Sequence, residues 1–219
     1  MVIAKLKITK FKNTKLKITG LTQKIESWAT KSKLIYFMAS QYYREVIKRE
    51  ICLAGITSQD HVLFIGGGNC PFSAILLHQY TGAKVTVIDH NITCVQNAQE
   101  AICRLGLEDH VSVLCREGAD LKESDPKISD LERHDLPQSD HGQHISPLSD
   151  YTVIHFALQV TPLEYVFSQV KNQMKPGTRV LVRKPKTCLK MVYSICPQLK
   201  ACPYITHKAR NIGSTLLFR

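Results

Sequence analysis

Apolar positions along this chain recur first at helical spacing and then, from residue 61 on, in short continuous runs punctuated by glycine and proline. Over residues 21–56, Ile25, Trp28, Ala29, Leu34, Ile35, Phe37, Met38, Tyr42, Val46, Ile47, Ile51 and Ala54 repeat largely every three or four positions, which predicts helix up to a stop at Gly55. Residues 61–65, HVLFI, form an apolar run of strand length that passes without a gap into Gly66, Gly67 and Gly68. Pro71 then suits the first turn of a helix, Ala74, Ile75, Leu76 and Leu77 give that helix its buried face, and Thr81 with Gly82 ends it. A second strand over 84–88 is closed by Asp89, a helix covers 92–105 with Gly106 as its stop, and a third strand covers 111–115. The alternation resumes with a strand over 151–158, a helix over 162–174 halted by Lys175, Pro176 and Gly177, and a strand over 179–183. A short helical stretch at 190–194 and two strands near 204–209 and 214–219 predict a closing antiparallel hairpin.

Strands that alternate with helices in this way predict an α/β fold, Rossmann-like, with a mostly parallel sheet and a C-terminal antiparallel hairpin. The chain divides accordingly into a lysine-rich arm (residues 1–20), an N-terminal helical cap (21–56) and a nucleoside-binding domain (57–219) that carries an acidic flexible loop (121–150).

Composition narrows the class. A chain of 219 residues, 44% apolar and 21% charged, is long enough to bury one full core. It has no apolar run of the roughly 18 residues that would span a membrane and no signal-peptide-like apolar stretch near its start, so a cytoplasmic protein is expected. Eight cysteines without a C-x-x-C pair argue against a zinc site or a disulfide framework and predict mostly reduced core residues. The net charge of +11 is uneven, because residues 121–150 hold seven acids against three Lys or Arg, and the remainder holds 26 basic against 11 acidic residues. Such a body could attract nucleic acid, yet interleaved aromatics and RNA-reading motifs are missing, so nucleic acid is disfavoured. The arm repeats KLKIT, with six lysines and no acid over residues 1–20, and suits either a disordered arm or an edge hairpin. His134, Asp135, Asp140, His141 and His144 have ligand chemistry, but proline, serine and glutamine around them offer nothing to fix a geometry, and no metal is expected.

The chemistry concentrates in residues 61–91. Glycine after a strand lets the backbone approach a bound group closely, and Asp89 follows roughly 20 residues later, where nucleotide-binding α/β folds place a carboxylate on ribose hydroxyls. Pro71 stands where a G-x-G-x-x-G fingerprint would want its third glycine, which disfavours a dinucleotide. The turn REGAD, 116–120, follows the third strand and is placed to meet a base, and the strand over 151–158 ends in the same cleft. His155, inside that strand, reads as a satisfied core histidine rather than a base.

The segment FIGGGNCPFSAILL has Phe64 where ordinary methyltransferases carry an acid, and a proline three residues after its last glycine. With the strand-end Arg183 and the tail RNIGSTLLFR, including Asn211 and Ser214, it resembles the S-adenosylmethionine-dependent class I transferases, and within them the nicotianamine synthase-like branch. The likeness runs from about residue 42 to the C-terminus. It implies the class I methyltransferase fold, with S-adenosylmethionine as cofactor. Gly66, Gly67, Gly68 and Asn69 would wrap the methionine part, Asp89 and its neighbour His90 the ribose, and Gly118, Ala119 and Asp120 the adenine, with Ala157 and Leu158 as the pocket floor. The family's tyrosine upstream of the first strand matches Tyr42 or Tyr43, Arg183 would pair a substrate or cofactor carboxylate, and Glu26, Glu45 and Glu50 are candidates for its assisting glutamate. The activity implied is transfer, or cyclisation, of the aminocarboxypropyl group onto a small amine or amino acid with release of methylthioadenosine. Alternatives are a small-molecule methyltransferase and a non-catalytic cofactor-binding module. The partner expected is a small-molecule amine or amino-acid substrate, with no membrane and with a homodimer left open.

Overall fold

The computed structural model describes residues 33–118, 146–186 and 202–219, with side chains in the first helix from Ser40 onward. The arm, part of the cap, most of the acidic loop, the predicted helix at 190–194 and the histidine cluster at 134–144 lie outside the described residues. Helix α1 (Lys33–Ala54) leads into β1 (His61–Ile65), α2 (Phe72–Thr81), β2 (Lys84–Asp89), α3 (Ile92–Arg104) and β3 (Val111–Cys115). A short 3-10 turn (Leu148–Asp150) precedes β4 (Val153–Phe156), followed by α4 (Leu163–Lys171), β5 (Arg179–Pro185), β6 (Tyr204–Thr206) and β7 (Ile212–Phe218). The sheet has seven strands in the order β3-β2-β1-β4-β5-β7-β6. The first five are mutually parallel, and β7 runs antiparallel to both β5 and β6. This is the Rossmann-like sheet with a closing hairpin that the sequence predicts.

Period-two alternation sorts the strand residues onto two buried faces. Val62, Phe64, Val85, Val87, Val153, Leu181 and Leu217 face α1, α2 and α3, where they meet Ile47, Ala54, Ile75, Leu77, Val95, Ala98 and Ile102. The intervening residues Leu63, Ile65, Ile88, Ile154, Phe156, Val180 and Val182 face α4 and its Leu163, Val166, Phe167 and Val170. Helix α1 is thus part of the core of the sheet.

Helix ends follow from local chemistry. Asn91 caps α3, its side-chain oxygen accepting from the N–H groups of Thr93 and Cys94. Gly82 closes α2 in the left-handed region (φ 73°) and donates its N–H to the His78 carbonyl. Pro71 sits one position earlier than expected, as the N-cap before Phe72, where its missing N–H still costs nothing. Strand β4 is shorter than the predicted 151–158, because after Phe156 the chain turns, with Val160 N–H donating to the Ala157 carbonyl. Strand β5 is longer than 179–183, because pairing with β7 carries it on to Pro185. At the opposite end of the sheet Arg179 donates through Nη1 to the carbonyls of Ala54 (2.8 Å) and Gly55 (2.9 Å) and through Nη2 to Asp60, tying the end of α1 to β5. Burial would raise the Asp60 carboxyl, but hydrogen bonds from Thr152 and the Thr57 N–H and the charge of Arg179 hold it below its ordinary range.

Candidate active site

Strand register builds the site. Ile88, Ile65, Phe156 and Val182 are paired partners across β2, β1, β4 and β5, so the next residues along those chains, Asp89, Gly66, Ala157 and Arg183, form one row at the C-terminal edge. Three strand steps separate the ends of that row, about 14 Å. Asp89 and Arg183 lie at opposite ends of one cavity of about 500 Å³, whose wall also includes the glycine turn, the start of α2 and the turn after β4. Ligands of open α/β sheets bind at this edge.

Two of the glycines are required by the fold before any ligand is considered. A Cβ on Gly67 would overlap the Cγ1 methyl of Val87, and one on Gly118 would stand 2.9 Å from Ile65 Cγ2 and 3.0 Å from Val166 Cγ1. Gly66 and Gly68 have φ of 89° and 65°, a backbone that other residues avoid. The turn is pinned from behind: Gly66 and Gly67 donate to the Ile88 carbonyl at 2.9 and 3.2 Å, and Gly68 N–H donates to Asp89 Oδ2 at 2.8 Å. The other Asp89 oxygen accepts from Asn91 N–H at 3.0 Å. The carboxylate therefore joins the glycine turn to the start of α3 and keeps two of its roughly four acceptor positions for something else.

The predicted cofactor residues Gly66, Gly67, Gly68, Asp89, His90, Gly118, Ala157 and Leu158 all line this cavity, as do Tyr42, Tyr43 and Arg183. His90 is largely exposed, with Nδ1 3.6 Å from Asp89 Oδ1. Ala119 and Asp120 lie outside the described residues. Asn69 is absent from the cavity wall among the described residues: it is buried, and its Oδ1 accepts from Asn97 Nδ2 of α3 at 2.9 Å.

The far end is aromatic and charged. The Tyr43 ring stacks on Phe72 at 5.8 Å, meets Tyr42 edge-on at 4.9 Å, and carries the Arg183 guanidinium 5.8 Å from its centre. The Tyr42 hydroxyl accepts the Asn211 N–H at 3.0 Å, fastening the turn between β6 and β7 to the rim of the cavity and leaving its own proton to donate. Arg183 is paired side-on with Glu50, Nε to Oε1 at 2.9 Å and Nη2 to Oε2 at 2.8 Å, and its Nη1 donates to Ser73 Oγ at 2.9 Å.

Glu50 stands behind the wall, fully buried. Besides Arg183, it accepts from Thr215 Oγ1 at 2.6 Å and from His155 Nε2 at 3.1 Å. Register explains part of this cluster, since Thr215 is the β7 partner of Arg183. Burial alone would raise the Glu50 carboxyl; the Arg183 charge, then His155, outweigh it and hold the group well below the ordinary carboxylate range. Burial, aided by Arg183, pushes His155 down against the pull of Glu50, so the imidazole is neutral and its Nε2 carries the donated proton. His207 is lowered too, chiefly by burial, and hydrogen-bonds Thr215 Oγ1 through Nε2 at 2.9 Å.

Some sequence expectations change here. His155 is the buried core histidine expected, stacked on Phe64 at 4.2 Å, but its Nδ1 has no hydrogen-bond partner among the described residues. Of the candidate glutamates, Glu45 faces solvent beside Lys48, Glu26 lies outside the described residues, and Glu50 is consumed by Arg183. The cysteines are less uniformly buried than predicted: Cys70 and Cys94 are buried in the cavity wall, while Cys52, Cys103 and Cys115 are exposed because they sit on outer helix faces and at a strand end. Among the described residues no group of three or more His, Cys, Asp or Glu is placed to hold a metal, and no helix is long and apolar enough to cross a membrane.

Comparison with known proteins places this geometry. No family model matches the chain. The L-histidine 2-aminobutanoyltransferase of Yersinia pestis is 33% identical over 72 residues, which are 33% of this chain and 27% of the relative, so the match spans about a quarter of that protein's length. Among solved structures, MtNAS, a nicotianamine synthase, superposes in a variant bound to S-adenosylmethionine with a TM-score of 0.69 at 18% identity, covering 94% of this chain and 75% of that one. The same protein in complex with MTA and tNA gives a TM-score of 0.67, again at 18% identity, covering 91% and 70%. An RNA methyltransferase from Salinibacter ruber, bound to S-adenosyl-L-homocysteine, gives 0.54 at 15% identity, covering 79% and 91%. At these identities the likeness establishes the fold, that of the class I methyltransferases.

Proposed function

We propose that this protein is an S-adenosylmethionine-dependent transferase that moves the aminocarboxypropyl group onto a small amine or amino acid and releases methylthioadenosine. The observation that carries the proposal is the row Asp89, Gly66, Ala157, Arg183, which puts a ribose-type carboxylate and a buried guanidinium at opposite ends of one cleft. The residues present fit the nucleoside. Asp89 has acceptor capacity to spare, the glycine turn keeps side chains out of the cleft, and a Cβ at Gly66 would crowd Val160 Cγ2 at 3.1 Å and Ala157 Cβ at 3.3 Å. Local identity to an aminobutanoyltransferase and whole-chain similarity to a nicotianamine synthase support this group over methyl.

When bound, S-adenosylmethionine supplies a sulfonium flanked by three electrophilic carbons, and the carbon facing the acceptor decides the product. Asp89 would hold the ribose hydroxyls, and the glycine turn at 66–68, which lines the cavity without side chains, would leave room for the methionine part. Gly118 on the β3 side leaves room for the base, and Ala157 with Leu158 closes the floor. Phe72, Tyr43 and Ile212 are apolar walls that keep water from the reacting centre. The Tyr42 oxygen, which already accepts the Asn211 N–H, has a second lone pair to accept an N–H of the acceptor amine and so turn the nitrogen lone pair toward the reacting carbon, with Tyr43 as the second phenol. Arg183 completes the acceptor end.

Incubation of the purified protein with S-adenosylmethionine and a panel of amino acids and amines, resolved by chromatography, tests the proposal. Accumulation of methylthioadenosine is expected. Accumulation of S-adenosylhomocysteine would move the chemistry to methyl transfer, and cofactor binding without any product would make the chain a binding module.

A further inference from the structure

The chain that leaves β4 runs over the middle of the cleft. Ala157 N–H donates to the Ile65 carbonyl at 3.0 Å, continuing the β1–β4 ladder by one step, and Val160 N–H then donates to the Ala157 carbonyl at 3.4 Å, so residues 157–160 make a β-turn. This turn packs on the glycine turn, since a Cβ on Gly66 would stand 3.1 Å from Val160 Cγ2 and 3.3 Å from Ala157 Cβ. In the row at the strand ends, Ala157 comes between Gly66 and Arg183. The turn that Ala157 begins therefore stands where the nucleoside half of the cleft meets the acceptor half.

Gln159 is the third residue of this turn and lines the cavity. Its carboxamide has no hydrogen-bond partner among the described residues. Its polar neighbours in the acceptor half are engaged: Arg183 donates to Glu50 and Ser73, and the Tyr42 oxygen accepts from Asn211. Arg116 and Glu117 follow β3 and belong to the nucleoside end, and Asn211 stands at the rim, where its N–H goes to Tyr42 and its carbonyl accepts from Lys186. The uncommitted carboxamide of Gln159 is thus the one that the turn carries to the centre of the wall.

The chemistry at that centre needs a neutral acceptor group. When an amine attacks a sulfonium carbon, the C–N bond forms as the C–S bond breaks, the pair of the C–S bond stays on sulfur in methylthioadenosine, and the nitrogen becomes an ammonium that yields a proton to solvent. Positive charge grows on the nitrogen along the way, so its N–H groups are better donors in the transition state than before it, and a carbonyl oxygen on one of them lowers the barrier. Two acceptors on two N–H groups also aim the remaining lone pair at carbon. Only a primary amine has two N–H groups to give besides that lone pair.

We propose that Gln159 determines the acceptor class: its carboxamide oxygen takes one N–H of the attacking nitrogen, the Tyr42 oxygen takes the other, and the site therefore selects primary over N-methylated amines. This rests on the transferase reading above and deepens it. An N-methyl group would stand against one of the two oxygens and leave it without a donor.

The test measures release of methylthioadenosine by chromatography from S-adenosylmethionine with three acceptor pairs: glycine and sarcosine, L-histidine and Nα-methyl-L-histidine, propylamine and N-methylpropylamine. In each pair that reacts, the native protein uses the primary amine with a kcat/KM at least about tenfold higher, because a site built to bond an N–H rejects the analogue that lacks it. Gln159→Met, of similar length but without the oxygen, narrows the ratio to within about threefold, chiefly by a lower kcat for the primary amine, as loss of a bond that strengthens in the transition state requires. Calorimetry shows native affinity for methylthioadenosine in that variant. Equal or reversed preference in the native protein overturns the inference, and so does a Gln159→Met protein that keeps the native ratio. A parallel loss of methylthioadenosine affinity also overturns it, since Gln159 would then act on the nucleoside. Should Gln159→Met fail to fold, Gln159→Ala is read in the same way. Absence of methylthioadenosine with every pair removes the transferase reading, whereas its release without preference for the primary amine removes only this inference.

Discussion

Replacing Asp89 by alanine separates a ligand contact from a structural one. Its carboxylate makes two internal hydrogen bonds, to Gly68 N–H at 2.8 Å and Asn91 N–H at 3.0 Å, and is assigned the ribose hydroxyls with its remaining capacity. Loss of charge-assisted bonds to the ribose weakens cofactor binding by about 1 to 3 kcal/mol, or about 5- to 150-fold in Kd. Orphaning the two part-buried N–H groups lowers stability by about 1 to 3 kcal/mol as well, a few degrees in Tm for each kcal/mol in a chain of this size. Calorimetry with methylthioadenosine and with its 2′,3′-dideoxy analogue divides the two effects. The native protein should prefer the ribose form, and Asp89→Ala should abolish that preference while binding the dideoxy form nearly as the native protein does. Native affinity in the variant would refute the placement of the nucleoside. An equal loss for both ligands would mean that Asp89 acts only by holding the glycine turn.

Other outcomes follow from the same contacts. Gly67→Ala forces a Cβ into Val87 Cγ1 on the buried sheet face and should cost about 1 to 3 kcal/mol of stability in a denaturant melt, whether or not cofactor is present. Arg179→Met strips the Ala54 and Gly55 carbonyls and Asp60 of their shared donor and should destabilise the fold by about 2 to 4 kcal/mol, read as a lower Tm with cofactor affinity unchanged. His61, His155 and His207 all have depressed folded-state pKa values, so near and below the ordinary histidine value of about 6.5 the unfolded chain binds more protons than the native one. Stability should therefore be level above about pH 7 and decline as pH falls below that value, with Glu50 adding a further loss only at more acid pH, where its lowered carboxyl protonates. Urea melts at pH 8, 6.5 and 5 check this, and a flat profile would show that the histidines are not buried neutral.

What the sequence disclosed and what it withheld divide along chain distance. The unit from β1 to β2 is local: an apolar run, a glycine turn, a helix with a glycine stop and a second run ending in Asp89 all lie within 29 residues and fold against each other. Its reading needed no partner from elsewhere. The resemblance implies Asn69 as a cofactor residue, yet its side chain pairs with Asn97, 28 residues on, and is absent from the cavity wall among the described residues. Glu50 and Arg183 are 133 residues apart, and nothing in either neighbourhood names the other. One local signal existed: Tyr43 and Glu50 are seven positions apart on a helix, two turns along one face, which marks Glu50 as inward-facing beside a cavity tyrosine. What that inward carboxylate met could be read only once β5, β7 and α1 had been brought together. Their docking also settled its chemistry, since a glutamate with four donors on it cannot serve as a base.

The central claim concerns which bond to sulfur is broken, and isotopic label follows it directly. S-adenosylmethionine carrying carbon-13 in the carboxyl of its aminocarboxypropyl arm, incubated with the protein and an amino-acid acceptor, should yield an acceptor heavier by the whole labelled arm and unlabelled methylthioadenosine, both read by mass spectrometry. Label retained in S-adenosylhomocysteine, with the acceptor heavier by one methyl group, would contradict it.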